Sequence, residues 1–366
     1  MKVIISGGGT GGHIFPAIAL AQELKRRDIS SDILFIGAKG KMEMDKVPQA
    51  GFEIIGLDVI GFNRTSIWKN INLPVKLFRG IYQAYSILKK YKPSVVVGVG
   101  GYASGPTLYM AQRLNIPTLI QEQNSFAGKT NKLLGKRAKA ICVAYHGMER
   151  FFSKEKIIFT GNPVRQDLKE LDLKRNEAAR YFNLDPNKKT VLVMGGSLGA
   201  RTLNETMEAN ASLIQSHPDI QWIWQYGKQG IAKFENLTIG TAGQVKAMPF
   251  IERTDLAYAL ADVILCRAGA LTISEILIAQ IPAILIPSPT VAEDHQTHNA
   301  KSLSEEGAAI LIRDAEAKDI AVKKVLELLG DRESMNKMRV AQSKLATPDA
   351  ATSIVNEILK LLPKAS

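Results

Sequence analysis

Short apolar runs rich in Val and Ile alternate along the chain with segments of helical period. The runs carry few polar residues, which is typical of strands buried on both faces in parallel sheets covered by helices. Helices are expected over about 16–27, over about 71–91 and after Pro106. Strands are expected at 3–6, 32–37, 52–57, 94–100, 117–122, 140–145 and 156–161. This part of the chain is therefore predicted to form one doubly wound sheet.

The same alternation starts again after the segment GNPVRQD. Strands are expected at 190–196, 220–227, 244–250, 262–269, 282–288 and 308–313, with helices over about 202–215 and from Leu271. Beyond Ala317 the pattern is helical only. We predict an α/β protein with two Rossmann-like domains, 1–163 and 164–346, and a last helix in 347–366 that packs back on the first domain. Ligands are expected at the carboxyl ends of the strands, in a deep cleft between the domains.

The amino-acid composition is that of an ordinary globular protein. Of the 366 residues, 46% are hydrophobic and 22% charged, which excludes collagen-like, coiled-coil and disordered chains. The net charge of +12 is uneven, because residues 1–163 hold 23 Lys+Arg and 10 Asp+Glu, against 24 and 25 in residues 164–366. An anionic partner is therefore expected for the first domain.

Neither export nor a disulfide framework is expected. Cys142 and Cys266 each lie in a predicted buried strand and form no C-x-x-C pair, which fits a reducing cytosol. The N-terminal apolar stretch has five residues before the first glycines, too few for the core of a signal peptide. Glycines and a proline interrupt the long uncharged stretch 93–112, so it is not expected to span a membrane.

A glycine-rich segment, SGGGTGGHIFP, follows the first predicted strand. Gly7, Gly9 and Gly12 match G-x-G-x-x-G, a turn whose backbone N–H groups bind phosphate at the start of a helix. A nicotinamide dinucleotide site would also need an acidic residue at the end of the second strand, where Gly37 is followed by Ala and Lys. An NAD-dependent dehydrogenase is thus the weaker enzymatic alternative, and a purely structural turn is the other.

Two further glycine loops, 97–106 and 194–201, also lie between a strand and a helix. Three such loops indicate more than one phosphorylated group in the site. His13 is expected within the first loop, where a side chain that titrates near neutral pH could accept a proton. A structural role for this histidine is the alternative.

The segments CRAGALTISE and EDHQTHNA each precede or open a predicted helix. Glu275 could simply favour the positive end of its helix, or it could accept two ribose hydroxyls. Gln296 could cap a helix or bind sugar hydroxyls. The residue pattern alone leaves both pairs of alternatives open.

Basic residues dominate one stretch of the first domain. Eight lie between Val59 and Gln121, where no acidic residue occurs, and they alternate with aromatic residues such as Phe62, Trp68 and Phe78. This composition suits adsorption to an anionic membrane surface. A solvated helix face and a nucleic-acid-binding protein are the alternatives that share the same charge.

Seven motifs together resemble the MurG family of bacterial glycosyltransferases. In chain order they are GGGTGGHIFPAIALA, GGYASGP, EQN, GNPVR, GGSLGAR, RAGALTISE and DHQTHNA. The resemblance covers essentially the whole chain and implies a GT-B fold. It also implies an inverting transfer of N-acetylglucosamine from UDP-N-acetylglucosamine to the C4 hydroxyl of N-acetylmuramic acid in lipid I, which yields lipid II and UDP in peptidoglycan synthesis.

The resemblance further implies a place and a set of partners. The first domain would bind the lipid acceptor and the membrane, and the second would bind the UDP-sugar. The expected location is peripheral, on the cytoplasmic face of the bacterial cell membrane, near other proteins of cell-wall synthesis. No nucleic acid, cofactor or metal is expected.

Site residues carry over from the family motif by motif. His13 is the candidate base. The donor would contact the residues Thr10, Gly11, Gly12, Asn124, Arg165, Ser197, Ile251, Ala270, Leu271, Thr272, Ile273, Ser274, Glu275 and Gln296. The acceptor diphosphate is assigned to Gly9, Gly101, Tyr102 and Ser104.

The departing UDP needs stabilisation of its negative charge. Many transferases use a metal held by an Asp-x-Asp turn, and no Asp-x-Asp occurs in this sequence. We expect Ser197, the amides of its loop and the helix start near Ala270 to stabilise the leaving group instead.

Overall fold

The apolar runs form parallel strands that pair into two separate sheets. The computed structural model describes residues 1–60, 73–196, 198–234 and 243–362. The chain divides into two units, the first made of Met1–Val164 and Pro348–Ser366 and the second of Arg165–Thr347. The prediction of an α/β protein with two parallel sheets is confirmed.

The first unit contains a seven-stranded sheet in the order β3-β2-β1-β4-β5-β6-β7. Val3, Ile4 and Ile5 of one inner strand are fully buried, because helices cover both faces of the sheet. The strands are β1 (Lys2–Ser6), β2 (Asp32–Ala38), β3 (Glu53–Leu57), β4 (Val95–Gly98), β5 (Thr118–Glu122), β6 (Ala140–Val143) and β7 (Ile157–Phe159).

The helices of the first unit are α1 (Gly11–Arg27), α2 (Glu43–Gln49), α3 (Leu73–Tyr91), α4 (Ser104–Arg113), α5 (Lys129–Gly135) and α15 (Ala350–Lys360), with 3₁₀ turns at Met148–Arg150 and Lys154–Lys156. The last of these, α15, packs on α1. Its residues Ile354 and Ile358 are fully buried in one apolar cluster with Leu20 and Leu24 of α1. The end of the chain thus completes the core of the first unit.

The second unit contains a six-stranded sheet in the order β10-β9-β8-β11-β12-β13. The strands are β8 (Lys189–Met194), β9 (Ile220–Gln225), β10 (Val245–Met248), β11 (Val263–Cys266), β12 (Ala283–Leu285) and β13 (Ile310–Leu311). Trp222 and Trp224 of β9 are fully buried on the same face of the sheet. They lie in an apolar cluster with Val191, Val193 and Leu203.

The α-helices of the second unit are α6 (Arg175–Phe182), α7 (Arg201–Ala209), α8 (Ala211–Gln215), α9 (Ile231–Phe234), α10 (Thr254–Leu260), α11 (Ala270–Ala279), α12 (His295–Glu305), α13 (Ala317–Gly330) and α14 (Arg332–Leu345). Its 3₁₀ segments are Gln166–Lys174, Lys228–Gly230, Ala292–Asp294 and Asp314–Glu316.

Each sheet reverses its strand order once. In the first unit the reversal lies between β1 and β4, and in the second between β8 and β11. Open α/β sheets bind ligands at the carboxyl ends of the strands beside such a reversal. The glycine loops after β1, β4 and β8, and the turn before α11, all lie at these two points.

Two sequence predictions about helices need correction. The first helix begins at Gly11 rather than near Pro16, so Gly11, Gly12 and His13 belong to its first turn and not to a loop. The helix predicted over 202–215 is two helices, which meet at Asn210, where the backbone is not helical (φ −104°, ψ 17°). The side-chain amide of Asn210 donates to the carbonyls of Thr206 and Lys318, at 2.9 Å each. Part of the basic stretch, 61–72, lies outside the described residues.

Candidate active site

The two glycine loops of the first unit pack directly on each other. Gly8 N–H donates to the Gly100 carbonyl at 3.2 Å. A Cβ atom on Gly101 would lie 2.1 Å from the Gly8 carbonyl oxygen, a distance that no side chain can adopt. Gly9, Gly100 and Gly101 also have φ values of +86°, +92° and +89°, which favour glycine. The glycines are therefore needed for the contact between loops as well as for the turn.

His13 lies in the first turn of α1, half-buried against the second loop. A hydrogen bond of 3.2 Å joins its Nδ1 to Thr10 Oγ1. Its ring contacts the backbone of Gly100, since a Cβ there would lie 2.7 Å from Nε2. The predicted residues Thr10 and His13 thus form one group at the first reversal point, with Nδ1 held and the imidazole plane fixed.

A buried carboxylate that sequence analysis did not identify holds the first glycine loop. Glu43, the first residue of α2, is 1% exposed. Its two oxygens accept the N–H groups of Gly9 at 2.9 Å and of Ala38 at 3.0 Å. The end of β2, where a dinucleotide site would bind its ribose, is therefore occupied by a carboxylate that is already bound to the loop. The dehydrogenase hypothesis loses support on this geometry.

Asn124 follows β5 and lies beside a buried acid. Glu122 accepts the N–H of Asn124 and of Gly128, both at 3.2 Å, and the side-chain amide of Asn131 at 2.8 Å. Burial raises the pKa of the Glu122 carboxyl above its ordinary value, and these three donors oppose the shift. The segment EQN is thus fixed by hydrogen bonds within the first unit. Gln123 adds a bond of 2.7 Å from its side-chain nitrogen to the Val99 carbonyl.

The residues assigned to the acceptor diphosphate differ in exposure and in the protein partners of their polar groups. The Gly9 N–H is already bound to Glu43. Ser104 is buried, and its hydroxyl donates to the Gly101 carbonyl at 2.9 Å, so it shapes the second loop. Tyr102 is exposed, and its ring would lie 3.7 Å from a Cβ on Gly9. Among these residues, Tyr102 is the one whose side chain reaches the surface.

The third glycine loop follows β8 in the second unit. Gly196 and Gly199 have φ values of +86° and +87°, and the Gly199 N–H donates to the Gly196 carbonyl at 3.0 Å. A Cβ on Gly199 would lie 2.2 Å from the Tyr226 carbonyl oxygen, which makes glycine necessary there. Ser197, the predicted diphosphate contact in this loop, lies outside the described residues.

Gln225 connects this loop to the predicted uracil contact. Its side-chain nitrogen donates to the Gly196 carbonyl, and its oxygen accepts the Ile251 N–H, each at 2.9 Å. The backbone N–H of Ile251 therefore has a protein partner. Contact with a base would use its carbonyl.

Glu275 lies one and a half turns into α11, half-buried between two partners. Tyr258 of α10 donates its hydroxyl to Glu275 Oε2 at 2.8 Å, and Arg165 Nε lies 3.6 Å from Oε1. Arg165 also donates to Thr254 Oγ1 at 2.6 Å. Burial is the main reason that the pKa of Tyr258 lies well above its ordinary value, and the adjacent carboxylate raises it further. Tyr258, which sequence analysis missed, thus stays protonated and orients Glu275.

The first turn of α11 presents backbone donors. Gly269 precedes it in extended conformation, so the N–H groups of Ala270, Leu271 and Thr272 point out of the helix start. Ile273 N–H already donates to the Gly269 carbonyl at 2.9 Å, and the Ser274 hydroxyl donates to the Ala270 carbonyl at 3.0 Å. The side chains of Ile273 and Ser274 are buried. This turn can therefore hold an anion through its backbone.

Gln296 and Asn299 lie on α12, near the turn that precedes α11. Gln296 Oε1 accepts the Ser288 N–H at 2.8 Å, so the side-chain oxygen is bound within the protein. Asn299 is fully buried, and its amide donates to the Ala268 carbonyl at 3.4 Å. Arg267 holds the same turn through the carbonyls of Ile286 and Pro287, at 3.1 and 3.2 Å.

The described part of the chain holds neither a cluster of metal ligands nor a helix suited to a membrane. Within residues 1–60, 73–196, 198–234 and 243–362, no three His, Cys, Asp or Glu side chains group in a way that could hold a metal ion. In the same ranges, no helix is both long and apolar enough to cross a membrane.

The two units match the two halves of one glycosyltransferase family. Residues 3–143 match the glycosyltransferase family 28 N-terminal domain, and residues 190–354 match the glycosyltransferase family 28 C-terminal domain. A Bacteroides fragilis protein named UDP-N-acetylglucosamine–N-acetylmuramyl-(pentapeptide) pyrophosphoryl-undecaprenol N-acetylglucosamine transferase is 50% identical over 99% of this chain and 96% of its own. The chain belongs to the MurG family.

One further relative and one solved structure support the same family. A Bacteroides thetaiotaomicron protein of the same name is 49% identical, over 99% of this chain and 98% of its own. The crystal structure of Acinetobacter baumannii MurG superposes with a TM-score of 0.76 at 30% identity, over 98% of this chain and 99% of that one. The predicted GT-B fold class is confirmed by this similarity.

Proposed function

We propose that this chain is an inverting hexosyltransferase. It moves N-acetylglucosamine from UDP-N-acetylglucosamine to the C4 hydroxyl of N-acetylmuramic acid in lipid I, giving lipid II and UDP. The names of relatives that are about half identical over the full chain support the reaction. The geometry that supports the donor is the second reversal point, where a glycine loop, a helix start and an oriented carboxylate lie together.

In this proposal, the second unit binds the UDP-sugar. Glu275 accepts the two ribose hydroxyls, because Tyr258 and Arg165 hold both of its oxygens in a fixed direction. The Ile251 carbonyl binds the uracil. Ser197, the loop amides and the start of α11 bind the diphosphate. The acetamido sugar is bound by Gln296 through its nitrogen, since its oxygen has a protein partner.

The first unit supplies the base and the acceptor site. His13 Nε2 takes the proton of the C4 hydroxyl while that oxygen attacks the anomeric carbon and the bond to the diphosphate oxygen breaks. The electron pair of that bond leaves with UDP. For Nε2 to accept the proton, Nδ1 must carry hydrogen, and Thr10 Oγ1 at 3.2 Å can accept a hydrogen bond from it in that tautomer.

The remaining site residues of the first unit are assigned to the donor or to the acceptor diphosphate. Thr10, Gly11, Gly12 and Asn124 are assigned to the donor. The acceptor diphosphate is bound by the second glycine loop, with Gly101 and Tyr102 at its surface. Gly9 and Ser104 act by shaping the loops, because their polar groups already have protein partners.

Contact with the membrane is assigned to α3. Phe78 and Tyr82 are 72% and 67% exposed on this helix, with Val75 and Tyr85 on the same face. Lys76 and Arg79 lie among them in sequence, and Lys89 and Lys90 lie in the last turn of the same helix. Apolar side chains among basic ones suit the anionic, cytoplasmic leaflet of the bacterial membrane, where lipid I is embedded. The proposed location is therefore peripheral, within reach of other proteins of cell-wall synthesis.

Calorimetry with three ligands tests the donor assignment. Purified protein is expected to bind UDP-N-acetylglucosamine and UDP, to bind UDP-glucose more weakly because it lacks the acetamido group, and not to bind NAD. Binding of NAD without binding of UDP would instead restore the dehydrogenase hypothesis.

A further inference from the structure

Gln225 is the last residue of β9 and is 4% exposed. Its side-chain amide has one partner on each of two separate segments of the second unit. The nitrogen donates to the Gly196 carbonyl and the oxygen accepts the Ile251 N–H, each at 2.9 Å. One planar group therefore joins the third glycine loop to the segment that follows β10.

The Gly196 carbonyl lies at the centre of the glycine loop. It accepts the Gly199 N–H at 3.0 Å as well as the Gln225 amide, so its direction is set from two sides. Ile251 is buried, and its backbone N–H has Gln225 as its partner. The gap between the loop and the Ile251 backbone is thus spanned by one side-chain amide and its two hydrogen bonds.

Few side chains could form this connection. It needs a donor and an acceptor on the same group, which an amide has and a carboxylate or an alkyl chain does not. Asparagine would be one methylene shorter. The amide links two backbone segments. In the proposed function, one of these segments binds the uracil and the other binds the diphosphate.

We propose that Gln225 is a positioning residue for the donor. It fixes the spacing between the backbone that binds the uracil and the loop that binds the diphosphate. A ligand that contacts both segments gains from this fixed spacing, because the two contacts form together without further ordering of the protein. A ligand that contacts only one segment gains little. This inference rests on the proposed UDP-sugar donor.

The experiment compares the affinities of uridine and UDP for full-length variants. Gln225→Leu removes both hydrogen bonds at similar volume. Gln225→Glu keeps the acceptor for Ile251 N–H but replaces the donor to Gly196 by an oxygen, and it serves if the leucine variant does not fold. For either variant we expect the UDP affinity to fall at least tenfold and the uridine affinity to fall less than threefold, with a higher KM for the donor.

Gln221 of the same strand provides a matched control. It is also buried, and its amide also bridges backbone groups, accepting Asp185 N–H at 2.7 Å and donating to the Asp185 carbonyl at 2.8 Å. It lies at the opposite end of β9. Gln221→Leu should cost similar stability and leave the ratio of UDP to uridine affinity unchanged.

The outcomes separate the inference from the proposed function. A wild-type protein that binds no UDP would overturn both. A wild-type protein that binds UDP, together with Gln225 variants whose UDP-to-uridine affinity ratio is unchanged, would overturn the role of Gln225 alone. A ratio that falls equally in the Gln221 variant would also overturn it, because the effect would then follow from lost stability.

Discussion

Glu43, Tyr258 and Gln225 share one property: each orients another part of the candidate site through a hydrogen bond from a buried position. Their partners are 34, 17 and 29 residues away in sequence. No local pattern marks such a residue, so sequence analysis did not find them. It found the residues in glycine loops and helix starts, because the chemistry of those motifs is local.

Replacing His13 tests the base. His13→Ala should reduce turnover by about 10²–10⁴-fold, since a positioned base contributes that much, and should leave UDP affinity nearly unchanged. Steady-state kinetics and calorimetry measure the two effects. His146, an exposed histidine stacked on Phe159, offers a control, and His146→Ala should retain full activity. A loss below tenfold for His13→Ala would assign the proton to another group.

A ligand comparison tests the ribose contact of Glu275. Glu275→Ala should weaken UDP binding by about 1.5–3 kcal/mol, the usual contribution of a hydrogen bond to a charged group. Tyr258→Phe should produce part of this loss, because it removes the bond that orients the carboxylate. With 2′,3′-dideoxy-UDP both substitutions should have little effect. Equal losses with UDP and its dideoxy analogue would reject the assignment.

Among the elements, strands were more predictable than helix ends. Uninterrupted apolar runs mark the buried strands of both sheets, and the structure places a strand within each predicted run. The start of α1 was misplaced because glycine has low helix propensity and Thr10 forms no capping bond with its side chain. At the break, the Asn210 amide donates to the Lys318 carbonyl of α13, a contact that sequence periodicity does not contain.

Glu23 of α1 makes the first unit sensitive to acid. Glu23 is buried and accepts hydrogen bonds from Arg26, Arg27 and Thr352, the last of them on α15. The bond from Arg26 is the largest of the effects that lower the pKa of Glu23 from 4.5 to about 2. The ionised form is thus favoured by folding, so its stabilisation is present above pH 4.5 and is lost as the pH falls through about 2.

Glu23→Gln is therefore expected to lower the free energy of unfolding at pH 7 by about 1–3 kcal/mol. The difference from the wild type should shrink as the pH falls from about 4.5 to about 2. Urea unfolding across this range measures it. Glu149→Gln, at an exposed position of the same unit, should change stability by less than about 0.5 kcal/mol. A difference independent of pH would contradict the linkage.

The uneven charge of the molecule can be located from the sequence, but the sequence does not decide which anionic partner it serves. The excess belongs to residues 1–163, and α3 shows part of it beside exposed aromatic side chains. Phe62 and Trp68, which contribute to the same sequence argument, lie outside the described residues. The membrane role therefore rests on α3.

Vesicle flotation tests that role. Wild-type protein should bind vesicles containing phosphatidylglycerol, bind phosphatidylcholine vesicles weakly, and detach as salt rises, because each basic residue contributes about 1 kcal/mol at an anionic surface. Replacing Phe78 and Tyr82 by alanine should reduce binding at least tenfold. Tyr181→Ala, at an exposed tyrosine of the second unit, should not. Binding to duplex DNA but not to vesicles would favour the nucleic-acid alternative.

The central claim is the transfer reaction itself, and it can be measured directly. Purified protein is incubated with isotope-labelled UDP-N-acetylglucosamine and lipid I in phosphatidylglycerol vesicles. The lipid products are analysed by mass spectrometry for the label and by NMR for the linkage and the anomeric configuration. We expect one labelled N-acetylglucosamine on the C4 oxygen of the muramyl sugar, with an inverted anomeric centre and one UDP released per transfer. Release of UDP without labelled lipid, or transfer with a retained anomeric centre, would contradict it.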